Sequence, residues 1–269
     1  MDQPYAFPLE YQTVLPPDYR SDQETLQNFG LLQELSFSGV ELNIIEPDSI
    51  DIEDLKDFLS GFGMVLRQFA SGLTAKAFNI SLSSLNDDHR KASVNQCRSY
   101  IDFAAAFDAG VILGFAKGGV SSDPDAARTA YMESLKELVG HAEQSSTPLL
   151  TEATNRYETS VANTLDDTFD LVKDFDSKCA RILPDTFHMN IEEKDTLGIL
   201  NSYADRYQLF HFSDNNRFLP GHGAIDFQPI VEFLKEDQYQ GWIGLEGNIQ
   251  KNVRDDLRTS INYLRPFLE

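Results

Sequence analysis

Four residues able to ligate a metal stand at the ends of four successive apolar runs. Glu152 closes Pro148-Leu-Leu-Thr-Glu152, Asp185 closes Ala180-Arg-Ile-Leu-Pro-Asp185, His211 lies in Tyr207-Gln-Leu-Phe-His-Phe212, and Glu246 closes Gly241-Trp-Ile-Gly-Leu-Glu246. Each is separated from the next by about one strand–helix unit of roughly 30 residues. Brought together in a partly buried mouth, three carboxylates would repel one another strongly, and a divalent cation removes that cost. Three carboxylate oxygens, one imidazole nitrogen and room for water suit Mn2+, Co2+ or Mg2+, with the imidazole favouring Mn2+ or Co2+. Structural Zn2+ is less apt where no thiolate is present. Taken singly, each residue has a plainer use: an acid at a strand end commonly caps a helix, and a histidine between Phe210 and Phe212 fits a core. The joint pattern on consecutive strands is what points to one shared ion.

Such a meeting needs a frame, and the chain repeats one. A short apolar or β-branched run, a polar loop and an amphipathic helix pattern recur from end to end. The runs predict strands at 6–15, 38–44, 64–69, 111–115, 148–152, 180–185, 207–212 and 241–246. Helices are predicted near 22–35, 51–62, 88–108, 125–144, 165–175, 194–206, 227–236 and 253–267. Within 51–62, Ile52, Leu55, Phe58 and Leu59 recur at helical spacing. Eight strand–helix units fill the chain. Right-handed crossovers then favour closure into an α/β (β/α)8 TIM barrel, one domain over residues 1–269. Pro8, Pro16 and Pro17 interrupt the first run. An open doubly wound sheet is the alternative, but no strand is followed by G-x-G-x-x-G, and Gly61-Phe-Gly63 precedes a strand. In a barrel, residues that close strands emerge at the carboxyl-terminal rim, where this fold carries its chemistry.

Composition narrows the functions. The 41% hydrophobic and 24% charged content is that of a globular enzyme, long enough to bury a core without disulfide or structural metal. Cys97 and Cys179 form no ligand-like cluster, which fits reduced thiols in the cytoplasm. No basic segment followed by an apolar run opens the chain, and no stretch approaches the ~18 apolar residues of a membrane helix. The net charge of −21 repels nucleic acid and anionic membranes, besides keeping acidic helix faces soluble. The expected partner is therefore a small molecule, with no nucleic acid and no membrane. A homo-oligomer is compatible with the sequence, although no spacing encodes one.

At these residues the chain resembles the xylose-isomerase-like TIM barrel superfamily, and within it the D-tagatose 3-epimerase branch of ketose 3-epimerases. The segments that carry the likeness are Gly39-Val-Glu-Leu42, Glu152-Ala-Thr-Asn-Arg-Tyr-Glu158, Asp185-Thr-Phe-His-Met-Asn-Ile-Glu-Glu193, His211-Phe-Ser-Asp-Asn-Asn-Arg217, Pro220-Gly-His-Gly-Ala-Ile-Asp-Phe227 and Gly244-Leu-Glu-Gly-Asn248. The resemblance implies that Glu152, Asp185, His211 and Glu246 are the metal ligands. It implies that Glu152 and Glu246 double as the acid/base pair on opposite faces of a sugar, and that Glu158, His188 and Arg217 bind its hydroxyls. The implied reaction is 3-epimerisation of a free ketose through a metal-stabilised cis-enediolate, chemistry that an ion on adjacent sugar oxygens supports. One departure bears on the sugar: Asn248 stands where some ketose epimerases carry an aromatic residue.

Glu158, His188 and Arg217 also have plainer readings, as an ion-pair partner of Arg156 or Arg217, a capping donor in a loop, and a surface ion pair. His222 is left unassigned, and His89 and His141 fall on expected helix surfaces. An aldose–ketose isomerase of the same superfamily would use the same ion and move the proton between neighbouring carbons. Apurinic endonucleases built on this barrel gather extra histidines on the third and fourth strands, where 64–69 and 111–115 hold none. A barrel that only bound sugar would not need an acid on each side.

Overall fold

The computed structural model describes residues 4–269. Its eight strands are β1 (Leu9–Val14), β2 (Gly39–Asn43), β3 (Val65–Ala70), β4 (Gly110–Leu113), β5 (Leu149–Glu152), β6 (Ala180–Leu183), β7 (Leu209–Phe212) and β8 (Trp242–Leu245). All pair in parallel, in the order β6-β5-β4-β3-β2-β1-β8-β7. The remaining gap, between β6 and β7, is bridged just beyond β6 by Asp185 and His211. There the His211 N–H donates to the Pro184 carbonyl at 3.0 Å. The sheet thus closes into a (β/α)8 barrel at the point where two of the four candidate ligands stand.

Among the described residues ten α-helices alternate with or follow these strands: α1 (Gln23–Glu34), α2 (Ile52–Gly61), α3 (Gly72–Ala77), α4 (Asp87–Ala105), α5 (Pro124–Ala142), α6 (Leu165–Val172), α7 (Thr186–Glu192), α8 (Thr196–Ser202), α9 (Gln228–Glu236) and α10 (Val253–Leu268). Most begin at a side chain that accepts an otherwise orphaned backbone N–H. Asp22, Asp51, Asn86, Asp123, Asp195 and Asn252 do so singly, and Thr164 with Asp167 does so as a capping box. The acidic composition is in part this capping chemistry. No helix among the described residues is long and apolar enough to cross a membrane.

The expected strand–helix order holds, with differences at the edges. β1 starts at Leu9, because Pro8 lacks an N–H; its carbonyl accepts from Ile243 at 3.0 Å. α3 and α7 were not expected, since six or seven residues are too short to show a helical period. α7 places His188 on a helix rather than in a loop, and α8 is shorter than the helix expected over 194–206.

Alternation along the strands divides the barrel interior. Two residues before three of the ligands stand Leu150, Leu183 and Leu209, which pack with Ile112 into a separate apolar layer beneath the rim. Two before Glu246 stands Gly244, where a Cβ would sit 3.0 Å from the His211 ring and 3.3 Å from Leu209. On the β1–β3 side the interior is polar, with Glu10, Glu41 and Gln68 all buried. Both Glu10 oxygens lack a hydrogen-bond partner, and burial, with Glu41 adding to it, lifts the carboxyl to about 8.

Folded Glu10 keeps a proton that the unfolded chain releases above 4.5, so this residue costs stability as the pH rises from 4.5 towards 8. Glu10→Gln cannot ionise. Its unfolding free energy is expected to match the parent near pH 4.5 and exceed it at pH 8 by about 4 kcal/mol. Denaturant titrations at the two pH values check this; an equal difference at both would refute it.

Candidate active site

Glu152, Asp185, His211 and Glu246 converge at the carboxyl-terminal rim, with one ligand-type atom of each within 4.8 Å of all the others. His211 Nδ1 lies 2.7 Å from Glu246 Oε2, 3.4 Å from Glu152 Oε1 and 3.8 Å from Asp185 Oδ2. Three of these atoms, Glu152 Oε1, His211 Nδ1 and Glu246 Oε2, are buried and lack a hydrogen-bond partner. They face one another out of line for a donor–acceptor bond. Buried polar atoms left in this way are costly unless something satisfies them. Carboxylate oxygens and an imidazole nitrogen around one point fit a hard or borderline divalent cation.

Local structure explains how each side chain gets there. Asp185 caps α7, its Oδ1 accepting from Phe187 N–H at 2.7 Å and His188 N–H at 3.2 Å. This directs Oδ2 towards the cluster, so the capping role and the ligand role belong to the two oxygens of one residue. Gly114, after β4, leaves room for the Glu152 carboxylate, with which a Cβ there would collide.

Two further residues surround the cluster. Glu41, on β2 and 1% exposed, reaches across the barrel to set Oε2 2.9 Å from His211 Nε2, and its other oxygen accepts from Gln12. A histidine whose Nε2–H is taken by a carboxylate offers Nδ1 to an ion in a fixed orientation. Sequence reading placed Glu41 in a motif without giving it a role, because nothing in Gly-Val-Glu-Leu says which ring nitrogen it will meet. Arg217, with φ 62°, turns its guanidinium back so that it bonds Asp185 Oδ2 at 2.7 Å and Glu246 Oε1. The loop that permits this is held by buried Asp214, which accepts backbone N–H bonds from Asn215, Gly221, Gly223 and Ile225.

Charge follows from this layout. Burial disfavours a charged His211, yet Glu41 and Glu246 more than offset it and hold the imidazole well above its usual range. Burial would likewise raise Glu246, but Arg217 and His211 hold its carboxylate well below the ordinary value. Glu246 is thus kept ionised.

Above the cluster is a cavity of about 320 Å³. Glu158, His188 and Arg217 all line it, together with Gln12, Asn43 and Asn248. The ion pair open to Glu158 does not form with Arg156, which bonds Glu192 at 2.6 Å instead; Glu158 accepts from Asn155 at 2.9 Å. His222 lies outside the cavity lining, near Gln250 and the Asp256 carbonyl. A cleft of about 480 Å³ opens among Arg181, Tyr207, Gln208 and Tyr239 at the amino-terminal ends of β7 and β8, away from the rim where this fold carries chemistry.

Sequence reading also passed over Lys117, an unremarkable lysine after β4 that is fully buried. Its ammonium donates to the Glu152 carbonyl, to Thr154 Oγ1 at 2.8 Å and to the Ala162 carbonyl at 3.4 Å. It therefore ties β5 to the loop that carries Glu158. Burial pulls it down to about 7, against the pull of Glu152 and Glu158.

A closed (β/α)8 barrel with a carboxylate–imidazole cluster at its carboxyl-terminal rim defines the class. Residues 29–267 match the Xylose isomerase-like TIM barrel family, and the chain belongs to that family. It is 26% identical over 257 residues to the 3-dehydro-D-guloside 4-epimerase of Escherichia coli (strain K12), across 90% of this chain and 95% of that one. It is 25% identical over 237 residues to a ketose 3-epimerase of Arthrobacter globiformis, across 87% of this chain and 81% of that one. The crystal structure of 3-keto-D-glucoside 4-epimerase from E. coli superposes with a TM-score of 0.82 at 23% identity, over 97% of this chain and 98% of that one. These relatives are all named as epimerases, which are isomerases.

Proposed function

We propose that this chain is a divalent-metal-dependent sugar epimerase that inverts a hydroxyl-bearing carbon next to a ketone, in its simplest form C3 of a free ketose. The observation that carries this reading is the pair Glu152 and Glu246, each with a buried, unpartnered oxygen aimed at one shared point below a polar cavity. Glu152, Asp185, His211 and Glu246 would hold the ion, with Mn2+ favoured over Co2+ or Mg2+. When bound, the ion would draw charge from the substrate's oxygens and acidify the C–H beside the ketone.

The remaining steps belong to side chains. Glu246, held ionised by Arg217, takes the proton from one face of the carbon, and the C–H electron pair moves towards the ketone oxygen. Arg217 and His188 donate towards the oxygen that gains charge. Glu152 supplies a proton to the opposite face, which inverts the centre, and Glu158 accepts from a substrate hydroxyl. In the reverse direction the two carboxyls exchange roles.

A second reading has its own support. The Escherichia coli 4-epimerase matches over nearly its whole length, and the cavity is lined by Asn248 where some ketose epimerases carry an aromatic residue. In a 3-keto-glycoside C4 is one of the two carbons that flank the ketone, and the same proton transfers would invert it. The test is a product screen over ketohexoses, ketopentoses and 3-keto-glycosides with Mn2+, Co2+ and Mg2+, alongside elemental analysis of purified protein. A ketose or keto-glycoside epimer is the expected product. Formation of aldoses alone would reject the epimerase reading in favour of an aldose–ketose isomerase.

A further inference from the structure

We propose that Asn155 is a positioning residue that makes His188 a hydrogen-bond donor towards bound substrate and holds Glu158 beside it as an acceptor. Asn155 follows β5 and is 2% exposed. Its backbone N–H donates to His188 Nδ1 at 3.2 Å, and its side-chain Nδ2 lies 2.8 Å from the same atom and 2.9 Å from Glu158 Oε1. The amide cannot be turned round, because its Oδ1 accepts from the Tyr157 backbone N–H at 3.0 Å, and a backbone N–H only donates.

Two donors therefore converge on Nδ1, which must accept. A neutral imidazole carries one N–H, so the hydrogen sits on Nε2. Among the described residues no protein group bonds Nε2, and His188 lines the cavity. The result is a donor, His188 Nε2–H, next to an acceptor, the Glu158 carboxylate, both fixed by one amide that hydrogen-bonds none of the four metal ligands. Such a pair suits a ketone oxygen that gains charge beside a hydroxyl that must be held, and a fixed donor is effective because it need not reorganise. The proposal rests on the sugar-epimerase reading of this cavity.

The test combines nitrogen NMR with kinetics. In the protein loaded with diamagnetic Mg2+, 15N shifts of the histidine rings, with His188 identified by its loss in His188→Gln, are expected to show the hydrogen on Nε2. Asn155→Asp replaces the donor facing Nδ1 and Glu158 by an acceptor. It is expected to draw a proton to Nδ1 and lower kcat about 100-fold, with metal affinity unchanged. Asn155→Ala keeps the backbone donor, so the ring hydrogen should stay on Nε2 while kcat/KM falls about tenfold through the freed Glu158. An Nδ1–H ring in the parent protein would overturn the proposal. So would a folded Asn155→Asp variant with kcat within about twofold of the parent. If Asn155→Asp does not fold, the parent spectrum and Asn155→Ala decide. A parent that turns over none of the sugars defeats the epimerase reading, and the ring shifts still decide the assignment of His188.

Discussion

Glu246→Gln is expected to lower turnover by about 1,000-fold or more while leaving a folded barrel. Glutamine preserves the shape of the side chain and an oxygen to face the cluster, but it cannot take a proton. Arg217 bonds Glu246 and Asp185, so its charge keeps one partner in the variant. Loss of the ion could also lower activity, and calorimetric titration with Mn2+ separates the two: kinetics at saturating ion must still show the deficit. Running the parent reaction in D2O gives a second reading of the same chemistry. If one carboxyl removes the proton and another on the opposite face returns one, the epimer formed at early times carries deuterium at the inverted carbon. Substrate recovered at that stage does not. Glu152→Gln should match Glu246→Gln in severity, because each residue serves one of the two faces. Turnover within about tenfold of the parent in either variant would remove that residue from proton transfer.

How much of this was legible in the residues differs from one feature to the next. Glu152, Asp185, His211 and Glu246 could be read because strand ends recur at the period of the βα unit, and a barrel aligns strand ends in space. The element order followed for the same reason, since long amphipathic stretches such as 87–105 carry their period openly. Glu41, Lys117 and Asn155 were not assigned roles, and the causes are physical. Glu41 meets His211 through the barrel interior, from β2 to a strand three places along the sheet past β1 and β8, with 170 residues between them in sequence. Lys117 looks like any exposed lysine until three acceptors surround it in the interior. Asn155 sits inside a recognised motif, yet its use depends on α7, a helix too short to show periodicity, which delivers His188 to it. Features that rest on one side chain finding another across the fold leave no trace in local spacing.

Removing Glu41 should weaken binding of a divalent ion at the proposed site without touching any of the four proposed ligands. His211 Nε2 is 2.9 Å from Glu41 Oε2, both side chains are 1% exposed, and the second Glu41 oxygen is occupied by Gln12. The carboxylate therefore fixes which nitrogen carries the hydrogen, how the ring is turned, and how basic Nδ1 is as a ligand. Burial holds the Glu41 carboxyl above the ordinary carboxylate range although His211 pulls it down, while Glu41 and Glu246 hold the His211 imidazole well above its own usual range. In Glu41→Ala the Nε2–H loses its acceptor in a dry interior, and the ring has no reason to hold Nδ1 towards the cluster. Metal affinity is expected to fall by about 100-fold, and the visible spectrum of the Co2+ form should change as the imidazole shifts. Glu41→Gln keeps an oxygen able to accept from Nε2–H but gives up the charge, so a loss of about tenfold is expected. The order parent, Gln, Ala separates orientation plus charge from mere filling of space, because a packing role would rank the variants by volume alone and leave the Co2+ spectrum as it was. Affinity within about twofold of the parent in folded Glu41→Ala would show that His211 is oriented by its ring packing and not by this carboxylate.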